Sequence, residues 1–225
     1  MSYDGILLVD KPAGWSSFDI VAKVRGVLSR EAGRKVKVGH TGTLDPLATG
    51  LMVVVVGSYC KRAQEFSKLD KTYHVTMKLG QTSTTGDEEG EKTDVSSAQP
   101  SQDEVESVLE DFVGISLQTP PAFSAVKVNG KRAYKLAREG KEVVIEPRSV
   151  TISSIELTKY EYPYVEFVAD VSSGTYIRSL VEDVGKSLET GAYMSDLKRT
   201  KVGEFMLDDA IQVETVSPQA HLLEI

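Results

Sequence analysis

Four consecutive valines, Val53–Val56, constrain the fold of this chain more than any other feature. They are β-branched and read as a strand buried on both faces. The stretch leading to them, Val38 to Val56, reads VGHTGTLDPLATGLMVVVV. Its first part is too rich in Gly, Thr and Pro to form a regular element. Gly39, Gly42 and Gly50 permit positive φ or a close backbone approach. Pro46 fixes its own φ and pushes Asp45 out of the helical region. Asp45 is therefore a carboxylate on a stiff loop at the entrance to a core strand, and functional residues often sit on such loops. Spacing alone leaves two readings open, a turn residue or a working carboxylate. His40 by itself reads equally as a structural histidine.

A chain of 225 residues holds one substantial core, or one core with a small appendage. No run approaches the roughly 18 apolar residues of a membrane span. Asp4, Asp10 and Lys11 in the first twelve residues exclude a signal peptide there. Cys60 is the only cysteine, so an internal disulfide and a cysteine-rich zinc site are both excluded, and a reducing cytoplasm is expected. Three histidines, with no H-E-x-x-H pattern or closely spaced ligand cluster, argue against a metal hydrolase, and no metal is expected. There is no P-loop lysine motif. With no heptad or apolar stripe, a monomer is expected.

The net charge of −7 argues mildly against a polyanionic partner, but its distribution weakens that objection. Ten acids and one base lie between Asp87 and Asp111. Six bases and one acid lie between Lys23 and Lys37, and seven bases and three acids between Lys127 and Arg148. Such segregation suits a protein that binds RNA on one side, although charge runs also form plain solvated faces.

Read in order, Gly5 to Val9 is a buried strand ending in a turn at Asp10 to Gly14. Ser16 and Asp19 form a capping box for a helix burying Ile20, Val21, Val24, Val27 and Leu28, stopped by Gly33. Cys60 to Leu69 reads as a short helix. Lys71 to Gly80 alternates, with Tyr73, Val75, Met77 and Leu79 on one face. Thr93 to Pro100 reads as a linker. Ser101 and Glu104 cap a helix burying Val105, Val108, Leu109, Phe112 and Val113. Asn129-Gly130 is a hairpin turn before a basic helix, Lys131 to Glu139. Val150 to Thr158 and Tyr164 to Val171 are strands. Ser172 to Leu180 opens a helix with Arg178 in its first turn, where the helix dipole disfavours a cation and an anion nearby is therefore expected. Met194 to Arg199 and Val202 to Phe205 are strand pieces, and Ser217-Pro218 caps a last short helix.

Four motifs occur in one order: Lys11-Pro12, His40 to Gly50, Lys71 to Gly90 with its K-x-Y…LG-x-x-S-x-T-x-D-x-x-G run, and Ser173 to Leu180. The ordered set resembles the tRNA pseudouridine-55 synthase (TruB) family across nearly the whole chain. The loop reads GTLDP where GALDP is commoner in the family, a small change at Thr43. The resemblance implies an α/β (α+β type) pseudouridine synthase fold, with a large mixed, mostly antiparallel sheet, flanking helices and a central catalytic cleft. It implies a single catalytic domain over 1–225 with a thumb-like RNA-gripping insertion at about 119–148. The chain is expected to lack the C-terminal PUA domain of many relatives.

The implied reaction breaks a glycosidic C–N bond, rotates the uracil and rejoins it through carbon. There is no redox change, so no cofactor is expected. By the resemblance, Asp45 is the catalytic aspartate and Arg178 its ion-pair partner, which favours the ionised form. Tyr73 stacks on the flipped uracil and removes the C5 proton. Tyr176 and Leu197 line the pocket, Lys11 packs beneath it, and His40 stacks within the T-loop of the tRNA T-arm. Lys127, Lys131, Arg132, Lys135 and Arg138 hold RNA phosphates, which position without reading sequence. Two other readings remain: a non-catalytic T-arm RNA-binding protein, and a pseudouridine synthase for another RNA.

Overall fold

A computed structural model describes residues 3–124, 126–128, 130–141, 143–217 and 222–223. The elements run β1 (Gly5–Lys11), α1 (Ser17–Ala32), β2 (Val38–His40), β3 (Thr49–Val56), α2 (Ala63–Ser67), β4 (Lys71–Leu79), β5 (Gln81–Ser83), β6 (Lys92–Asp94) and α3 (Gln102–Asp111). They continue with β7 (Gly114–Gln118), β8 (Lys127–Val128), β9 (Lys131–Arg132), α4 (Ala133–Arg138), β10 (Arg148–Glu161), β11 (Tyr164–Val171), α5 (Ile177–Ser187), β12 (Ala192–Val202), β13 (Phe205–Met206) and β14 (Ile211–Gln212). Among the described residues, ten strands hydrogen-bond in the order β14-β1-β3-β12-β4-β11-β10-β7, with β2 on β3 and β13 on β12. This is the expected large, mostly antiparallel α/β sheet, in which β1 with β14 and β12 with β3 pair in parallel. No helix of the described residues is long and apolar enough to cross a membrane.

The chain divides into two compact units, residues 1–74 with 197–225, and residues 75–196. In the first, β3 pairs antiparallel with β1 from Val56↔Gly5 to Gly50↔Lys11. Its other edge takes β2 at Val54–Val56 and β12 at Thr49 and Gly50. The four valines are accordingly at most 1% exposed. Leu8, Leu51, Val53, Val55, Phe66 and Val202 share one cluster of this core. Helix α1 carries the expected capping box, Ser16 Oγ accepting from the Asp19 amide while Asp19 accepts from the Ser16 amide, and ends at Gly33 in the left-handed region. Four of its five expected apolar residues are buried, and Val27 is half-buried.

In the second unit, β10 pairs antiparallel with β11 and with β7. Val165, Phe167, Ala169 and Val171 are buried as the alternation predicts. Helix α3 packs on β10 and α5. Its capping box at Ser101 and Glu104 is present.

Several boundaries differ. Cys60 to Leu69 is a 3-10 turn, Gly57–Lys61, followed by the five-residue α2, because Arg62 leaves helical geometry between them. Thr93 and Asp94 of the expected linker belong to β6, which pairs with β5. Helix α3 buries only Val105 and Leu109, since it ends at Asp111 and leaves Val113 exposed. Lys131 and Arg132 are in a strand paired with β8, so the basic helix starts at Ala133; Asn129 of the turn lies outside the described residues. Strand β10 runs from Arg148 to Glu161 because its ladder to β11 continues through an exposed, polar half. The two expected pieces from Met194 are one strand, β12, followed by β13. The expected last helix falls on Pro218 to His221, outside the described residues.

Candidate active site

In the first unit, Asp45 follows β2 on a loop that is held by its main chain. Ser17, buried at the start of α1, donates its hydroxyl to the Leu44 carbonyl at 3.0 Å and accepts from the Leu44 amide at 2.8 Å. Lys11, wholly buried, donates to the carbonyls of Pro12 at 3.0 Å, Trp15 at 2.7 Å and Pro46 at 3.1 Å. An ammonium has three donors, and all three are used. Burial pushes the Lys11 pKa down to about 8, with the charge of Asp45 opposing that fall. The Asp45 carbonyl accepts from the Ala48 amide at 3.1 Å, which closes the turn around Pro46.

Arg199, on β12 and 1% exposed, supports the same loop. Its Nε donates to the Leu51 carbonyl at 2.8 Å and its Nη2 to the Gly42 carbonyl at 3.1 Å. A Cβ on Gly42 would lie 3.2 Å from Arg199 Nη1, so the glycine admits the guanidinium. At Gly50, φ is +99° and a Cβ would lie 2.3 Å from the Arg199 carbonyl oxygen, so only glycine lets β3 and β12 meet there. Tyr73 and Leu197 are buried on β4 and β12, and His40 is half-buried on β2 opposite Val54. Lys11, His40, Asp45, Tyr73 and Leu197 thus all belong to this unit.

The second unit carries Tyr176, Arg178 and the basic insertion. Tyr176 is the N-cap of α5, and its side chain makes no capping bond. Arg178 is buried in the first turn. Its Nη1 lies 3.3 Å from Asp87 Oδ2 and donates to the Thr85 carbonyl at 3.0 Å, and its Nη2 donates to the Phe123 carbonyl at 2.8 Å. Asp87 also accepts from the Thr85 hydroxyl and from the Glu89 amide at 3.1 Å. An anion does stand against Arg178, as its place in the helix suggests, and Asp87 of the S-x-T-x-D run is one such partner. Glu182, one turn along α5, lies against Gly86, and burial raises its carboxyl pKa. In the insertion, Lys127, Lys131, Arg132, Lys135 and Arg138 are all exposed on the β8–β9 hairpin and α4. A further basic surface lies in the first unit, where Arg34, Lys35, Lys37 and Lys61 line a cavity of about 460 Å³.

The sequence assigned no site role to Ser17, Gln118 or Arg199, and it showed Asp87 as a motif position without its partner Arg178. One signal was readable: Arg199 holds an inward position of β12, two residues after Leu197, where an apolar residue is expected.

The family model for the TruB family pseudouridylate synthase (N terminal domain) matches residues 30–177. That for the tRNA pseudouridylate synthase B C-terminal domain matches residues 178–224. The tRNA pseudouridine synthase B of Parabacteroides distasonis is 46% identical over 94% of this chain and 91% of its own length. That of Aquifex aeolicus is 40% identical over 99% of this chain and 78% of its own. Among solved structures, a Cbf5-Nop10-Gar1 complex contains a chain with a TM-score of 0.72 and 30% identity, over 93% of this chain and 52% of that one. With the two family models matched over residues 30–177 and 178–224 and relatives this similar over nearly the whole of this chain, the chain belongs to the TruB family of pseudouridylate synthases.

Proposed function

We propose that this chain isomerises uridine-55 in the T-loop of tRNA to pseudouridine, without a cofactor, with Asp45 as the catalytic aspartate. Pseudouridine formation in tRNA is the reaction named for its relatives at 40–46% identity. The observation that carries the assignment of Asp45 is its loop. Arg199, Ser17 and Lys11 grip the main chain at Gly42, Leu44 and Pro46, on both sides of the carboxylate. A group so held meets the demand of preorganisation: its position is set before substrate arrives.

In this reading the target nucleotide is extruded, which costs a few kcal/mol and less in a loop than in a stem. Tyr73 stacks on the uracil, which contributes about 1–3 kcal/mol. Asp45, ionised and partnered by Arg178, acts at the sugar–base junction. The C1′–N1 bond breaks, the uracil turns, and a C1′–C5 bond forms. The Tyr73 hydroxyl takes the proton from C5 as it passes its own to water, and N1 takes a proton from water, so no net proton is gained or lost. Tyr176 and Leu197 shape the pocket above Lys11, and His40 occupies the space of the extruded base within the T-loop. The exposed bases of the 119–148 insertion and the Arg34–Lys61 surface hold phosphates. The chain is read as a monomer of the cytoplasm, with one catalytic domain and this one insertion.

The test treats an unmodified tRNA transcript and a T-arm stem-loop with wild type and Asp45→Asn, and maps pseudouridine by chemical labelling and primer extension. One modified uridine in the T-loop, absent with the variant, is expected. Modification elsewhere would reassign the substrate. Binding without product in wild type would favour a T-arm RNA-binding protein.

A further inference from the structure

Both ends of the insertion converge on one residue. At the entry, the side-chain amide of Gln118, the last residue of β7, meets the main chain of Tyr176 twice. Its Nε2 donates to the Tyr176 carbonyl at 3.0 Å, and its Oε1 accepts from the Tyr176 amide at 2.7 Å. Gln118 is 6% exposed, and the two residues are 58 apart in sequence. At the exit, the Arg148 guanidinium at the first residue of β10 lies over the Tyr176 ring, 5.4 Å from its centroid. Two more links follow along the entry. Ser179 Oγ donates to the Thr119 carbonyl at 3.1 Å, and Arg178 Nη2 donates to the Phe123 carbonyl at 2.8 Å.

Helix α5 starts at a tyrosine, which cannot cap its own helix as Ser, Thr, Asp or Asn would. A glutamine from another strand fixes the main chain of that N-cap instead. The pairing has the form of one ladder step of a sheet, made by a side chain. It uses both faces of the amide, so an acid of the same shape cannot replace it: a carboxylate accepts from the Tyr176 amide but repels the Tyr176 carbonyl.

We propose that Gln118, assisted by Arg148, is a positioning residue that sets Tyr176 and Arg178 for the reaction, and that the base of the RNA-gripping insertion is the device through which RNA held there acts on the site. The inference rests on the function proposed above. It places the link between RNA grip and chemistry at the roots of the insertion, whereas the exposed bases farther out contribute affinity.

The test uses full-length tRNA and single-turnover kinetics at saturating enzyme, with Gln118→Glu, Gln118→Ala and Arg148→Met beside wild type. Wild type reports separately on the proposed function: if it makes no pseudouridine, that reading fails before the variants are compared. Each Gln118 variant is expected to lose roughly 10- to 100-fold in the saturating rate, as small misplacements of working groups do. The tRNA Kd is expected to stay within about threefold, with Gln118→Glu no better than Gln118→Ala. Arg148→Met takes the guanidinium off the Tyr176 ring at a half-buried position and covers the case in which neither Gln118 variant folds. Its saturating rate is expected to fall several-fold. Saturating rates within twofold of wild type in the variants that fold, or a loss confined to Kd, would overturn the proposal.

Discussion

Arg178 Nη1 lies 3.3 Å from Asp87 Oδ2, with the two side chains only 7% and 4% exposed. A buried pair of this kind adds little net stability against an apolar pair, yet removing one member leaves the other charge uncompensated, typically at about 3–5 kcal/mol. Asp87→Ala is therefore expected to lower urea-unfolding stability by several kcal/mol. Asp87→Asn retains the acceptor for the Glu89 amide and is expected to cost less. Both are expected to slow pseudouridine formation more than they weaken tRNA binding, because the arginine loses a fixed partner while the basic surfaces are untouched. Unchanged stability in Asp87→Ala would show that other contacts hold Arg178 alone.

The glycines around Arg199 give a graded prediction. Alanine at Gly50 meets main-chain atoms of Arg199 at 2.3 and 2.9 Å in a backbone with φ of +99°, so neither partner can yield cheaply. Strain and overpacking each cost about 1–3 kcal/mol. Alanine at Gly42 meets only the end of the Arg199 side chain at 3.2 Å, with an ordinary φ. Thermal melts are expected to rank wild type above Gly42→Ala and Gly42→Ala well above Gly50→Ala. Equal melting of the two variants would contradict the packing.

Lys71 supplies a pH prediction. It is buried, donating to the carbonyls of Ser67, at 2.8 Å, and Leu69. Burial, aided by the charge of Arg199, pushes its pKa down to about 8 from 10.5. Between those values the unfolded chain holds the proton more fully than the folded chain does, so this group makes stability rise with pH across the window. Below about 8 both states are charged and its penalty is constant. The stability of wild type relative to Lys71→Met is thus expected to increase from pH 8 to pH 10, read as the difference between their urea midpoints. A difference independent of pH would show that the folded protein keeps this lysine charged as readily as water does.

Elements with a clean period were legible in the sequence. Tyr73, Val75, Met77 and Leu79 are all buried, as alternation on β4 requires, and both serine capping boxes formed where three-residue spacing put them. Boundaries failed where local pattern was weak. The polar half of β10 is a strand because β11 pairs with it, and its Ser, Glu and Lys residues carry no trace of that. Asp45 was visible through Pro46 and the neighbouring glycines. Its supports were hidden because they are long-range: Ser17 acts across 27 residues and Arg199 across 148 to Leu51. Gln118, just before a Thr-Pro-Pro run, looked like any polar residue at a strand end. No periodicity says that its amide meets a main chain 58 residues away.

The hydrogen bonds from Ser17, Lys11 and Arg199 to the Asp45 loop go to main-chain carbonyl and amide groups. What the loop displays outward is therefore independent of what anchors it. Thr43 is exposed between two gripped positions, and exchanging it for alanine alters no atom that Ser17, Lys11 or Arg199 holds. The loop can accept such exchanges on its outer side while the carboxylate stays where it is. The freedom ends at Gly42 and Gly50, where the anchoring side chain and its own backbone occupy the space a larger residue would need.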